Sequence, residues 1–198
     1  WVFIAAKLTI NILIHLNPGD EWQRIRRSTR IKYLKSKIIM FPINDDNPIR
    51  ITPYVTYGLI ALNVLIFIYE LTFSEQGLTK FFYQWAVVPL QFTGAITGHP
   101  QPILAVEPPE ALTFITSQFL HGGFAHIAGN MLFLWIFGNN VEDQLGHVKF
   151  LFFYLTCGVL AGLTQWFFSQ GSDIPSLGAS GAIAGIMGAY IIRFPQVN

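Results

Sequence analysis

Charged residues are scarce in this chain of 198 residues, in which Asp, Glu, Lys and Arg together account for only 12%. A soluble domain usually has about 25% charged residues, whereas 52% of the residues here are hydrophobic and 15% are aromatic. Cysteine is almost absent too, because Cys157 is the single one, so an internal disulfide is excluded. We interpret Cys157 as an inert packing residue. The composition predicts an all-α, polytopic bundle of membrane helices rather than a soluble domain.

Basic residues are concentrated near the N-terminus, since eight of the twelve Lys and Arg residues lie between Arg24 and Arg50. Lys and Arg in short loops mark the cytoplasmic side of a membrane protein. An arm that binds nucleic acid is the alternative, but the run adjoins an apolar segment and has few interleaved aromatic residues. With residues 17–52 in the cytoplasm, the later spans place His126 and Ser180 in the outer half of the membrane. The predicted protein is therefore multi-pass, and its unusual polar groups open to the extracytoplasmic side.

The chain is divided at residue 40. Residues 40–198 carry the clearest apolar segments and are predicted to form the membrane domain. Residues 1–39 keep two interpretations: an upstream extension without a role, with Met40 as the natural start, or a short anchor over residues 1–16 followed by the basic cytoplasmic segment. Because the first residue is Trp1 and the chain stops directly after an apolar segment, we expect it to be a fragment at both ends.

Four apolar segments predict membrane helices, at residues 54–73, 124–141, 150–168 and 180–192. Glu142, Asp143, Gln144 and Gly146 are predicted to form the turn between the second helix and the third. The connection over residues 74–120 is rich in aromatic residues and then in Gly and Pro, which suits a segment lying in the membrane interface. A small soluble loop packed on itself is the alternative.

The fourth apolar segment is too short to cross a bilayer. A helix of about 14 residues spans about 21 Å, whereas the hydrocarbon core is about 30 Å thick. If Arg193 lies at one membrane face, Ser180 lies inside the bilayer, at a helix start whose free N–H groups can bind an oxyanion. This setting suggests a buried nucleophile. In the alternative interpretation Ser180 is a helix cap or one more small residue beside a packing face. That face consists of Gly181-x-x-x-Gly185 and Gly188, and its predicted partner is the Gly158-x-x-x-Gly162 motif of the third helix.

His126 and Asn130 are four residues apart, which places both on one face of the predicted second helix. Polar side chains inside a membrane usually face a bundle interior or a water-filled cavity. Both side chains can donate hydrogen bonds to a developing negative charge; alternatively, they bond to neighbouring helices and hold the bundle together. A metal site is a third and weaker interpretation, because no His-Glu-x-x-His spacing and no neighbouring Cys or carboxylate accompanies them.

A serine nucleophile also needs a base, and the five histidines of the chain do not include a dedicated one. His15 and His99 lie outside the predicted spans, and the topology puts His147 at the opposite membrane face. His126 is able to reach Ser180, but no histidine follows Ser180 in the chain. The residues by themselves therefore indicate a nucleophile and oxyanion donors without their base.

The same residues resemble those of the rhomboid intramembrane serine proteases. The family's His-x4-His-x3-Asn signature is present as His121, His126 and Asn130. Two further matching stretches follow it, Gly138-Asn-Asn-Val-Glu142-Asp-Gln-Leu-Gly146 and Gly178-Ala-Ser180-Gly181. The resemblance extends over residues 41–198, and residues 83–89 look like the family's first extracellular loop. It implies a rhomboid-like bundle of which this chain holds the N-terminal part.

The resemblance also implies roles for individual residues. Ser180 is similar to the nucleophile that attacks a peptide carbonyl, and His126 and Asn130 are similar to the oxyanion hole that forms with the Ser180 N–H. His121 resembles a residue that shapes the outer cavity, and Glu142 resembles a hydrogen-bonding acid near the cytoplasmic helix end. The supporting glycines beside the nucleophile are Gly178 and Gly181. No metal or cofactor is implied, and the implied partners are transmembrane protein substrates and the lipid bilayer.

One departure from the family pattern concerns the base. Family members use a Ser–His dyad whose histidine lies on the sixth core helix, and this chain ends after the fourth, before the fifth and sixth core helices. We therefore expect the polypeptide 1–198 to be inactive and the full-length protein to be a serine-type endopeptidase. Two alternatives stay open: a non-catalytic rhomboid-like protein that binds membrane clients, and a transporter or channel in which His126 and Asn130 line a path.

Overall fold

A computed structural model describes residues 49–99 and 109–194, and α-helices dominate these two ranges. Seven α-helices lie in them: α1 (Tyr54–Glu70), α2 (Glu75–Trp85), α3 (Pro89–Thr97), α4 (Thr113–Thr116), α5 (Phe124–Leu145), α6 (His147–Phe168) and α7 (Ser180–Arg193). Two 3-10 turns, Glu110–Leu112 and Ser117–Phe119, flank α4. The all-α prediction is confirmed. The predictions about residues 1–39 fall outside the described ranges.

Helix α1 is apolar over most of its surface but buries polar side chains. Its buried positions recur at steps of three and four residues, and they are Thr56, Leu59, Asn63, Phe67 and Glu70. This spacing places them on one helix face, whereas Leu65 and Ile68 are among the exposed apolar residues. An apolar outer face with a polar inner stripe is typical of a helix that is surrounded by lipid.

The core lies where α7 packs against α5 and α6, and α5 also contacts α1. Leu134 of α5, Phe150 and Tyr154 of α6, and Ile186 of α7 are all fully buried there. Helices α6 and α7 approach closely at Gly181, where an added Cβ would lie only 2.5 Å from the Cβ of Ala161. Small residues permit such close helix contacts in membrane proteins. The close contact fixes the start of α7 against α6.

The Gly158-x-x-x-Gly162 motif of α6 contacts two segments, α7 and the segment before α5. Gly158 faces Gly181 of α7, with its Cα 4.0 Å from a Cβ added there, as the packing interpretation predicts. Gly162 instead faces Phe114, whose Cδ1 would lie 2.8 Å from an added Cβ, and the Gln118 side chain also covers Gly158. The motif therefore contacts α7 through Gly158, and the segment before α5 also occupies this face of α6.

Helix length and apolarity indicate which of the predicted segments are able to cross a membrane. Within the described ranges α6 is long and apolar enough to cross a membrane by itself. The segment Glu110–Phe119 and α5 would make a second span if they are taken together, although they are bent by 82°. Helices α1 and α7 are apolar but have only 17 and 14 residues. The multi-pass arrangement of four spans stays a prediction.

Several helix boundaries differ from those predicted. The turn predicted at residues 142–144 is wrong, because α5 continues to Leu145 and the chain turns at Gly146, whose φ is +75°. Helix α1 ends at Glu70 rather than at residue 73, and α6 begins at His147 rather than at residue 150. The described part of the connection over residues 74–120 contains α2, α3, α4 and the two 3-10 turns.

Glu142 explains why α5 is longer than predicted. Its side chain is fully buried, and its carboxylate is hydrogen-bonded to residues of α1. Its carboxylate accepts hydrogen bonds from the N–H of Val55 (2.9 Å), the N–H of Thr56 (2.7 Å) and the hydroxyl of Thr56 (2.7 Å). His147 Nδ1 lies 2.6 Å from the same carboxylate. Glu142 therefore caps the N-terminus of α1, whose first N–H groups have no partner within their own helix. This acid, which the sequence predicts to lie in a polar turn, instead joins two helices.

Replacing Glu142 by Ala in the full-length protein is expected to lower the free energy of unfolding by about 2–4 kcal/mol, because the N–H groups of Val55 and Thr56 would be left without an acceptor. Asp143→Ala is the matched control. Asp143 accepts bonds from the N–H groups of Arg50 (2.7 Å) and Ile51 (2.9 Å) at a more exposed place, so about 1 kcal/mol is expected. Unfolding of the purified protein in detergent measures both values, and equal losses would contradict the assigned role of Glu142.

Candidate active site

Ser180 is the first residue of α7, and the preceding Ala179 is the N-cap, with no side chain capping the helix. The interpretation of Ser180 as a helix cap is therefore wrong. The Ser180 side chain is exposed at the surface of the described residues, and its depth inside the bilayer stays a prediction. The side chain is exposed because its nearest neighbours are small residues, which leave a cavity beside it. The serine thus lies where another molecule can reach it.

The cavity beside Ser180 has a volume of about 210 Å³. It lies between α6, α7, the loop before α7 and the segment that contains Ser117 and Gln118. Small residues make up much of its wall, namely Gly158, Ala161, Gly162, Gly181 and Ala184, and Thr164 and Gln165 add polar groups. The cavity is therefore partly polar, and it exists because the side chains that line it at the start of α7 are small.

His126, Asn130 and Gly178 come together next to Ser180. A Cβ added at Gly178 would lie 2.7 Å from both Cε1 and Nε2 of His126, and 3.8 Å from Nδ2 of Asn130. The two side chains share one face of α5, and that face is turned toward the residues just before α7. Asn130 is buried, and its Nδ2 has no hydrogen-bond partner among the described residues. A buried donor without an acceptor is costly, so a site that can receive an acceptor is indicated here.

His121 lies three residues before α5 and is almost completely buried, with 1% of its surface exposed. Its ring packs against the ring of His126 at a centroid distance of 5.2 Å and an angle of 65°. Its backbone N–H donates to both carboxylate oxygens of Glu70, at 3.2 and 3.3 Å. The His121 ring therefore packs against the His126 ring, and Glu70 at the end of α1 holds the backbone of His121 in place.

Gly178 needs to be glycine for two reasons. Its φ of +119° lies in a region that other residues rarely adopt, and the His126 ring leaves no room for a Cβ. The N–H of Gly178 donates to the carbonyl of Ser117 at 2.8 Å. This bond ties the residues before Ser180 to the segment before α5, so one backbone contact helps to bring the two halves of the site together.

Sequence reasoning missed part of this arrangement. Glu70 and Ser117 hold the backbone of His121 and Gly178, and Val87 lines the cavity, yet the sequence patterns predict a site role for none of the three. Only Glu70 gave a signal, as an acid at the end of an apolar helix. Glu142, in contrast, does not join the site, because it lies twelve residues after Asn130 on α5, about 18 Å along the helix axis. Among the described residues no three His, Cys, Asp or Glu side chains are grouped to hold a metal ion.

The fold is an all-α bundle in which Gly178, two residues before Ser180, lies against the His126 ring and near the Asn130 amide. Residues 108–198 match the Rhomboid domain. The chain belongs to the rhomboid family, whose members are integral membrane proteins. Its relatives include proteins of mitochondria and of bacteria, and no solved structure gives a significant match.

Three relatives illustrate the similarity. The presenilin-associated rhomboid-like protein, mitochondrial, of Homo sapiens is 31% identical over 143 residues, which are 70% of this chain and 32% of that protein. The rhomboid protease GluP of Bacillus subtilis is 43% identical over 77 residues, 39% of this chain and 15% of that protein. Rhomboid protein 1, mitochondrial, of Saccharomyces cerevisiae is 34% identical over 91 residues, 44% of this chain and 26% of that protein. The chain spans about a third of the length of the presenilin-associated relatives that it matches.

Proposed function

We propose that the full-length protein is a serine endopeptidase of the membrane and that Ser180 is its nucleophile. One observation carries the proposal: an exposed serine at a helix start lies two residues after Gly178, which lies against the His126 ring and near Asn130 Nδ2, a buried donor without a partner among the described residues. Helix capping does not account for this serine, because its hydroxyl does not cap α7. The similarity to a protein named a rhomboid protease adds support.

In the proposed reaction the Ser180 oxygen bonds to the carbonyl carbon of a substrate peptide, and the carbonyl oxygen becomes an oxyanion. The proposed donors to that oxyanion are the Ser180 N–H, Asn130 Nδ2 and the His126 ring. Donors that are already in place before charge develops need no reorganisation, which is why they accelerate acyl transfer. The positive end of the α7 dipole acts in the same direction.

The general base is proposed to be the histidine that the family resemblance places outside residues 1–198. It takes the Ser180 proton and returns it to the leaving amine, after which water hydrolyses the acyl-enzyme. The proposed substrates are transmembrane or juxtamembrane segments. A helical substrate must unwind locally, because its carbonyl groups are otherwise engaged in hydrogen bonds. From the basic residues that precede α1, we propose that the site opens to the extracytoplasmic side of a multi-pass protein.

Asn130→Ala in the full-length protein is expected to lower kcat by about 100- to 1,000-fold, because one oxyanion donor is lost. Asn130→Asp keeps the shape of the side chain but replaces the donor by a negative charge, so it is expected to be at least as slow. Cleavage of a transmembrane reporter in proteoliposomes measures these rates, and the melting temperature of each variant shows whether it is folded.

Asn139→Ala is the matched control on the same helix. Asn139 lies nine residues further along α5, and its side chain accepts bonds only from the neighbouring Asn140, so near wild-type activity is expected. An Asn130→Ala variant with the wild-type kcat would contradict the oxyanion role. A wild-type protein that binds the reporter tightly but never cleaves it would favour the non-catalytic alternative.

A further inference from the structure

The loop between α6 and α7 carries Gly178, yet it has little regular structure of its own. Over residues 169–179 it is held by backbone bonds to a segment more than 80 residues earlier in the chain. Val87 and Ser176 exchange two bonds, of 3.1 and 2.8 Å, and the N–H of Leu90 donates to the carbonyl of Ser172 at 2.9 Å. The two segments run in opposite directions, so each bond fixes a further part of the loop.

Thr93 of α3 makes the last contact of this series. Its hydroxyl lies 3.1 Å from the carbonyl of Gln170 and 2.8 Å from that of Pro89, and it accepts a bond from the indole N–H of Trp166 at 2.9 Å. A hydroxyl has one hydrogen and two lone pairs, so it can accept from Trp166 while its hydrogen serves the two carbonyls. Thr93 thereby joins α3, the end of α6 and the start of the loop.

The position of Thr93 is itself fixed by aromatic packing. The neighbouring Phe92 ring lies edge-on to Trp166 at 5.1 Å and edge-on to Phe114 at 4.8 Å. Phe114 in turn packs over Gly162 on α6. Aromatic pairs of this geometry add stability beyond the area that they bury. Helix α3 is therefore held against α6, and Thr93 adds a side-chain contact to the loop beside the backbone bond that Leu90 makes.

We propose that Thr93 is a positioning residue, which holds the start of the 169–179 loop so that Gly178 stays against His126 and Ser180 faces the cavity. Thr93 lies on a different helix from the site residues and acts through the loop rather than on substrate. This proposal rests on the proposed function for its effect on catalysis, whereas its effect on the loop is independent of any activity. A shift of about 1 Å at a catalytic group is enough to lower a rate about 100-fold.

The test compares three variants of the full-length protein. Thr93→Val removes the hydroxyl but keeps the shape, and Thr93→Ser restores the hydroxyl. Thr97→Val is the matched control, because the Thr97 hydroxyl bonds only to carbonyl groups of its own helix and is exposed. Amide hydrogen exchange over residues 170–178 reports on the loop, and kcat and KM are measured with a transmembrane reporter.

For Thr93→Val we expect amide exchange in the loop to speed up about 10-fold and kcat to fall about 10- to 100-fold, with KM changed less than about 2-fold. Thr93→Ser and Thr97→Val should behave like the wild type. Unchanged exchange in Thr93→Val, faster exchange without a loss of kcat, or an equal effect in Thr97→Val would each overturn the proposal. If the wild type cleaves nothing, the proposed function fails, and faster exchange confined to Thr93→Val still assigns the loop-holding role.

Discussion

In the full-length protein, Ser180→Ala is expected to abolish cleavage of a transmembrane reporter, with a loss of at least about 10,000-fold in rate. The substitution removes the oxygen that forms the acyl bond. It is expected to leave the fold unchanged, because Ser180 is exposed and its hydroxyl does not cap α7. The measurement is a time course of reporter cleavage in proteoliposomes, together with the melting temperature of the variant.

Ser172→Ala is the matched control for this substitution, since it makes the same change in the loop before α7. The Ser172 hydroxyl accepts only a 3.3 Å bond from the N–H of Ile174, and its carbonyl, which binds Leu90, is kept. Near wild-type cleavage is expected. If Ser180→Ala retained even a tenth of the wild-type rate, the serine mechanism would be untenable. If Ser172→Ala were equally slow, the loop rather than the nucleophile would explain the loss.

Much of α7 and α5 could be anticipated from local patterns. The start of α7 at Ser180 follows from a glycine-rich turn that leads into an apolar run, and Pro195 in the sequence predicts the end of the helix, which falls at Arg193. The four-residue spacing of His126 and Asn130 is enough to place both on one face of α5. These features depend on residues that are close together in the chain, which is why the sequence alone indicates them.

The support of the site could not be anticipated, because it depends on residues that are far apart in the chain. Val87 pairs with Ser176, and Gly178 bonds to Ser117, but no periodic pattern links these positions. Thr93 resembles any other threonine of a short helix until its hydroxyl is seen beside Trp166. Contacts of this kind are set by how the helices pack, which hydrophobic periodicity does not specify.

Glu142 shows how a correct local rule can give a wrong boundary. An acidic pair followed by glycine normally indicates a turn, yet Glu142 and Asp143 lie within α5. The first turn of α1 supplies N–H donors to Glu142, and the residues just before α1 supply them to Asp143. Burial inside the bundle therefore costs Glu142 little. A distant partner therefore decides whether these acids end a helix or extend it.

Gly178→Ala is expected to reduce cleavage by more than about 1,000-fold, about 4 kcal/mol of lost transition-state stabilisation. The added methyl group would lie 2.7 Å from two atoms of the His126 ring, and alanine is strained at a φ of +119°. Either the ring or the loop must shift. The proposed donors on α5 and the Ser180 N–H then no longer point at the same oxyanion position. This loss exceeds that expected for Asn130→Ala because both sides of the proposed oxyanion hole are displaced. Reporter cleavage in proteoliposomes measures it.

Gly171→Ala separates this effect from a general response of the loop to alanine. Gly171 lies in the same loop, no atom lies within 4 Å of an added Cβ there, and its φ is outside the strained range. We therefore expect Gly171→Ala to cleave at nearly the wild-type rate. Because the Gly178 effect depends on contact with His126, adding His126→Ala to Gly178→Ala is expected to restore part of the loop protection that Gly178→Ala loses, as measured by amide hydrogen exchange. A Gly178→Ala variant that is folded and fully active would show that the close approach of Gly178 to His126 is not required for catalysis.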